Sequence, residues 1–407
     1  MAISTGLILL AMMLLLALLL KPVAEKYHIP FAGLLVVTGF VGSEILVSLD
    51  IDTGIRYDSF HDLILFVFLP LLIFEAAFKI NAQQLFKNLI VILFFAIPVM
   101  LFSTVIAAVM IYYGIGHPTG FPWIAALLTG ALLAATDPVA VVSMFKAIGA
   151  SPRLTALVEG ESLFNDATAV VCFSLIIVAL ANDESMLNGP EATWAFFTTV
   201  GGGILIGLTA GYFSSILYHL NKNNNARGIV SLLAMAIPFY IAEHSFHVSG
   251  IIAVLVSGLW LGESRRLAIS ITQKEENFSS HLWELNGYIA NVIVFVLMGV
   301  TITVEMFRDQ WFAMLLGIAA ATISRAVVVY GFTPVVNILP RQEKISFSYQ
   351  NVIMWGGLRG GVGIALALSI PTSVPGWYTV QAIIYGMVLF TLFVQAPLMP
   401  RLIKKTI

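Results

Sequence analysis

Apolar stretches of about 20 residues recur along the chain, separated by short polar turns. At roughly 1.5 Å of rise per residue, each is long enough as a helix to cross the hydrocarbon core of a bilayer. Thirteen spans are predicted, at 3–20, 30–49, 62–79, 88–113, 121–146, 153–181, 192–220, 227–244, 248–262, 283–304, 310–337, 346–370 and 377–402. The ninth is short, and Pro334 is expected to break the eleventh. The pattern predicts an all-α polytopic membrane protein, residues 1–407 forming a single transmembrane domain with no soluble domain.

The first apolar run, Ile3 to Leu20, is followed by Lys21-Pro22. A cleavable signal would place positive charge before the run and a small-residue site after it, so this is read as a retained span. The tail beyond Arg401 is short, and no appended module is expected.

Composition agrees with a lipid-solvated exterior. Charged residues are 10% of the chain and hydrophobic ones 59%, whereas soluble domains carry roughly 25% charge. No basic block suggests nucleic acid, and the single Cys172 excludes a disulfide framework. Loop charge supplies an orientation. With the N-terminus outside, sixteen of the twenty Lys and Arg fall inside: Lys21, Lys26, Lys79, Lys87, Lys146, Arg153, Lys222, Arg227, Arg265, Arg266, Lys274, Arg341, Lys344, Arg401, Lys404 and Lys405. Outside loops hold only Arg56 and Arg308, and they carry acids such as Asp50, Asp52, Asp183 and Glu184. This bias favours a cell-membrane protein with its N-terminus outside and its C-terminus cytoplasmic.

With a linking helix at about 192–220, repeat 1 (about 1–181) and repeat 2 (about 227–403) run in opposite directions, the inverted layout of many secondary transporters. Span 5 is interrupted by Thr136-Asp137-Pro138, and span 12 carries Gly356-Gly357-Leu358-Arg359-Gly360-Gly361-Val362-Gly363. Two interrupted helices at matching places point to an ion site near the midplane. Ionisable groups within spans are costly and functional by default. Those read this way are Glu75, Asp137, Glu159, Glu161, Asp166, Arg325 and Arg359. Asp137 and Asp166 both lie roughly 20 Å from the start of their spans, so two carboxylates share one depth. Hard cations take such oxygen ligands. Ser162 and Asp166 share one helix face at i,i+4, and Glu161 and Asn165 share the next. Glu161 needs a cationic partner, and Arg325 and Arg359 are the two at depth.

The runs Thr136-Asp137-Pro138-Val139-Ala140-Val141 and Glu161-Ser162-Leu163-Phe164-Asn165-Asp166 resemble the monovalent cation/proton antiporter family, which includes the NhaP proteins and the animal sodium/proton exchangers. Phe74-Glu75, Ser324-Arg325 and Gly356-Gly357-Leu358-Arg359-Gly360 resemble it too, so the likeness covers essentially the whole chain. It implies a homodimeric thirteen-helix transporter exchanging Na⁺, or Li⁺ or K⁺, for H⁺ by an elevator-like movement, with no cofactor. It implies Asp166 as the ion and proton carrier, with Thr136, Ser162 and Glu75 completing the sodium shell. Asp137 and Asn165 would support or ligate, Glu161 would pair with Arg325, and Arg359 would offset helix-end dipoles. Glu75 is equally placed to reach water from the end of its span.

A cation channel, an intramembrane enzyme and a receptor are the competing classes. A channel would want a ring of ligands from several subunits. An enzyme would want a nucleophile and base at depth. The histidines (His28, His61, His117, His219, His244, His247 and His281) lie at span ends or in loops, as solvated residues or pH sensors. Gly201-Gly202-Gly203 is read as helix packing.

Overall fold

The computed structural model describes residues 3–27, 29–49, 57–115, 120–138, 141–142, 145, 152–181, 189–267, 273–338 and 344–406. His28, Asp50, Asp52, Arg56, His117, Val139, Ala140, Lys146, Asp183, Glu184 and Arg341 lie outside the described residues. Every regular element among those described is helical. In chain order the helices are α1 (Ile3–Tyr27), α2 (Phe31–Ser48), α3 (Phe60–Lys79), α4 (Leu89–Gly114), α5 (Trp123–Ala134), α6 (Pro152–Ala181) and α7 (Gly189–Leu220). They continue with α8 (Asn224–Ser245), α9 (Gly250–Leu267), α10 (Gln273–Thr301) and α11 (Val304–Ile338). The last are α12, in two segments (Phe347–Trp355 and Gly361–Leu368), and α13 (Trp377–Leu402).

Ten of these, among the described residues, are long and apolar enough to cross a membrane. The chain is therefore a multi-pass membrane protein. The other three predicted spans correspond to α5, α9 and α12. Helix α5 has 12 described residues, α9 ends in Glu263, Arg265 and Arg266, and α12 is interrupted. One expectation fails: Pro334 does not break the eleventh span, because α11 runs unbroken for 35 residues with Pro334 inside it. Pro334 lies near the C-terminal end, where few hydrogen bonds remain to be lost. Elsewhere proline leaves a mark. Wide π turns at Ile64–Phe68, Phe95–Val99, Ile241–Ser245 and Thr391–Gln395 lie at or beside Pro70, Pro98, Pro238 and Pro397. A residue without N–H breaks the i→i−4 ladder, and local widening absorbs the break.

The chain forms two compact units, residues 1–64, 94–150 and 291–407 in the first, and 65–93 and 151–290 in the second. Neither is a contiguous half of the sequence.

In the first unit, glycines admit close helix crossings. A Cβ on Gly39 of α2 would lie 2.5 Å from the Val296 carbonyl oxygen, and one on Gly386 of α13 would lie 2.7 Å from Met314 Cβ. Buried Tyr385 shares a 2.7 Å hydroxyl–hydroxyl bond with Thr301.

In the second unit, Gly203, Gly207, Gly211 and Ser215 form an i,i+4 stripe along α7. A Cβ on Gly203 would lie 2.6 Å from the Ser249 carbonyl oxygen, and one on Gly207 would lie 2.6 Å from that of Ala253. Van der Waals contact is the attraction between helices in lipid, and it grows as backbones approach. The packing reading of Gly203 holds. Two arginines counted as loop charges are buried here. Arg227 donates from Nε to the Asn221 carbonyl at 2.8 Å, at the end of α7. Arg265 lies 4.4 Å from the Phe78 ring centroid and bonds Ser280 Oγ at 2.9 Å.

Gly207→Val should lower the melting temperature in detergent, by about 1–3 kcal/mol of overpacking. Gly201→Ala should not, because nothing lies within 4 Å of a Cβ there. Equal melting of the two variants would refute this account of the α7–α9 crossing.

Candidate functional site

The first unit holds both interruptions. Helix α5 stops at Ala134, and Ala135 turns the backbone to an extended conformation (φ −60°, ψ 134°). The first segment of α12 stops at Trp355, and the second begins at Gly361. Each stop leaves carbonyls without helical partners, and each restart leaves N–H groups. The two breaks complete one another. The Asp137 N–H donates to the Leu358 carbonyl at 2.7 Å. Arg359, from the break in α12, donates through Nη1 to the Ala135 carbonyl at the end of α5. Arg325 of α11 donates through Nε and Nη2 to the Ile353 carbonyl, at 3.2 and 3.0 Å, near the end of the first α12 segment. Two guanidinium cations therefore sit at the negative ends of two half-helices. The complementary charge is Asp137. A Cβ on Gly360 would overlap its carboxylate, so Asp137 lies against the N-terminal, positive end of the second α12 segment. Thr136 is buried beside it.

Arg359, expected to offset helix-end dipoles where span 12 unwinds, reaches the carbonyl at the end of α5. Arg325 directs two hydrogen bonds to the α12 backbone. Gly357 makes room for it, since a Cβ there would meet the guanidinium group.

The second unit holds the other candidates. On α6, Ser162 and Asn165 are 3% and 2% exposed. Asn165 Nδ2 donates to Glu161 Oε1 at 3.4 Å, so the expected face of Glu161 and Asn165 is formed. Asn165 Oδ1 is buried and accepts no hydrogen bond among the described residues. A buried amide oxygen normally has a donor. Asp166 follows directly, about 21 Å along the axis from Pro152, near the middle of this 30-residue helix. Glu75 of α3 pairs with Lys79, Oε1 to Nζ 2.8 Å. Among the described residues no group of three or more His, Cys, Asp or Glu could hold a metal ion. The candidate oxygens on α6 (the Asp166 carboxylate, the Ser162 hydroxyl and the Asn165 amide) are of the kind that hard cations take.

Comparison with known proteins gives a consistent picture. The sequence profile described as "Sodium/hydrogen exchanger, transmembrane" matches residues 11–405. The Na⁺/H⁺ antiporter ApNhaP of Aphanothece halophytica is 38% identical over 84% of this chain and 64% of its own length. The chain thus spans less than two thirds of that relative. The low-affinity Na⁺/H⁺ antiporter NhaS1 of Synechocystis is 35% identical over 96% of this chain and 72% of its own. These relatives are transporters, not enzymes. Among solved structures, the sodium proton antiporter MjNhaP1 of Methanocaldococcus jannaschii superposes with a TM-score of 0.83, covering 100% of this chain and 99% of that one at 22% identity. The fold is shared.

The interlocked breaks make a testable pair. Gly360→Ala should destabilise the protein by about 1–3 kcal/mol, because its methyl group meets Asp137. In an Asp137→Gly background, where the Cβ and the carboxylate are both gone, the same change should cost little. Additive losses in detergent melting would show that the two residues do not interact.

Proposed function

The chain belongs to the sodium/hydrogen exchanger family, and from that premise we propose that it exchanges Na⁺ for H⁺ across the cell membrane. Asp166 is the carrier in this reading. The observation that carries it is the buried Asn165 oxygen, without a donor among the described residues, one residue from Asp166 on an unbroken helix. A cation satisfies that oxygen, and a proton on Asp166 supplies the alternative neutral state. Ser162, one turn back, adds a hydroxyl oxygen, and Thr136 and Glu75 are further ligand candidates. Asp137 has a different task, because its charge faces a helix end.

A mid-membrane carboxylate is costly when charged and alone, so it holds either H⁺ or a cation. The two therefore compete for one site, and alternating access carries them in opposite directions. We take the movement to be elevator-like, in a homodimer with its N-terminus outside and its C-terminus in the cytoplasm. The family likeness and the loop charges support those choices. Exchange of this kind links cytoplasmic sodium to cytoplasmic pH.

In proteoliposomes with an imposed pH gradient, the protein should move Na⁺ against H⁺. Lowering the pH on the cation-binding side should raise the apparent KM for Na⁺. Asp166→Asn should stay folded and lose exchange. Full activity in that variant would sink the carrier assignment, and coupling to K⁺ in place of Na⁺ would reassign the substrate.

One titrating carboxylate carries one Na⁺ one way and one H⁺ the other, so a full cycle moves no net charge. Membrane potential acts on net moved charge, at about 2.3 kcal/mol per charge per 100 mV. With Na⁺ and H⁺ gradients balanced, a potassium/valinomycin potential should drive no net Na⁺ flux. A flux that reverses with the sign of the potential would require a second proton-exchanging acid.

A further inference from the structure

We infer that Lys79 sets the cation affinity of the transporter by competing, as a tethered ammonium, for the carboxylate of Glu75. The inference rests on the exchange proposed above, with Glu75 among the oxygens that a cation meets. Lys79 is the last residue of α3, and Glu75 lies one turn before it. The Nζ–Oε1 distance is 2.8 Å, within the range of charge-assisted hydrogen bonds.

An i,i+4 Glu–Lys pair on a solvated helix is ordinary and weak. Three features set this one apart. First, Glu75 is lodged against bare backbone: a Cβ on Gly287 of α10 would lie 2.9 Å from its Cδ and 3.3 Å from Oε1. The glycine keeps open the space that the carboxylate fills. Second, the end of α3 is capped by another cation. The Arg266 guanidinium donates to the Lys79 and Ile80 carbonyls. The Lys79 ammonium is thus not needed for those carbonyls, and its charge is directed to Glu75. Third, the neighbouring turns are aromatic. Phe74 packs against Trp283 at 4.4 Å between ring centroids, and Phe78 stacks on Phe74 at 5.7 Å. An apolar surround screens the pair less than water does.

An ammonium and a sodium ion are both compact monovalent cations that seek carboxylate oxygen. Two positive charges on one carboxylate repel, so a cation that uses Glu75 is held better when Lys79 Nζ swings away, which its flexible stem and 36% side-chain exposure permit. Affinity for the incoming cation falls by the fraction of time that Glu75 is free of the lysine. If the pair is closed for most of that time, the apparent affinity is lowered about threefold to tenfold.

The test is the Na⁺ dependence of initial exchange rates by the full chain in proteoliposomes at one fixed pH. Lys79→Gln should lower the apparent KM about threefold to tenfold. Lys79→Arg keeps the charge and should stay close to the wild-type value. Lys87→Gln removes an exposed lysine from the connector that follows α3 and should leave KM unchanged. A wild-type KM in Lys79→Gln would overturn the inference. An equal fall in Lys87→Gln would overturn it too, since the cause would then be the general charge of that surface. A wild type that exchanges no cation for protons would instead overturn the function proposed above, and this inference with it.

Discussion

A peptide group left without a hydrogen-bond partner inside a bilayer costs several kcal/mol, and water is not there to supply one. An interrupted transmembrane helix exposes such groups at both sides of its break. This constraint governs the first unit. Helix α5 cannot satisfy the Ala135 carbonyl from its own ladder, and α12 cannot satisfy Ile353 or Leu358 from its own. The partners come from outside each helix: Arg359, Arg325 and the Asp137 N–H. Asp137 and Arg359 each act across the crossing, the break in one helix supplying the charge that the end of the other requires. Neither break is stable by itself, so the pair must be kept or lost together.

The glycines around the break follow from that arrangement. A Gly-rich run suggests a need for left-handed backbone, but among the described residues only Gly120 and Gly376 are glycines with positive φ. What Gly357 and Gly360 provide is volume. One leaves room for the Arg325 guanidinium and the other for the Asp137 carboxylate. Gly207 and Gly287 use the missing Cβ in the same way, one toward a neighbouring backbone and the other toward a carboxylate. Small side chains in this protein mark places where something else must fit.

Much of the architecture was legible because hydrophobic length is a one-dimensional property. The spans, the all-helical class and the breaks in α5 and α12 follow from apolar runs, Pro138 and the Gly356–Gly363 cluster. The pairing of Glu161 with Asn165 followed from helical period alone. What was illegible depended on which group a side chain reaches. Arg325 bonds a backbone carbonyl that no pattern in the sequence marks as unsatisfied. Arg227 and Arg265 looked like loop charges because they flank apolar runs. Their guanidinium groups lie over aromatic rings, and one bonds a carbonyl at a helix end while the other bonds a hydroxyl group. Pro334 and the prolines near the π turns are alike in sequence, yet only the latter accompany a widened turn.

Under the exchange proposed above, the charges divide into two kinds. A charge that holds a broken backbone together cannot be given up in every cycle without opening the break. Arginine suits that task because its guanidinium stays protonated at any working pH. Asp137 belongs to the same group, since its charge faces a half-helix end that persists whatever ion is bound. Helix α6 is different. It runs unbroken through Glu161 and Asp166, so its backbone groups are satisfied within the helix. A carboxylate on it can change its charge without exposing a peptide group. In the exchange proposed above the division is one of chemistry: fixed charges sit where the backbone is interrupted, and the exchangeable one sits where it is continuous. A transporter built on one broken helix alone would ask a single residue to hold the backbone and carry the ion, and each turnover would then strain the fold.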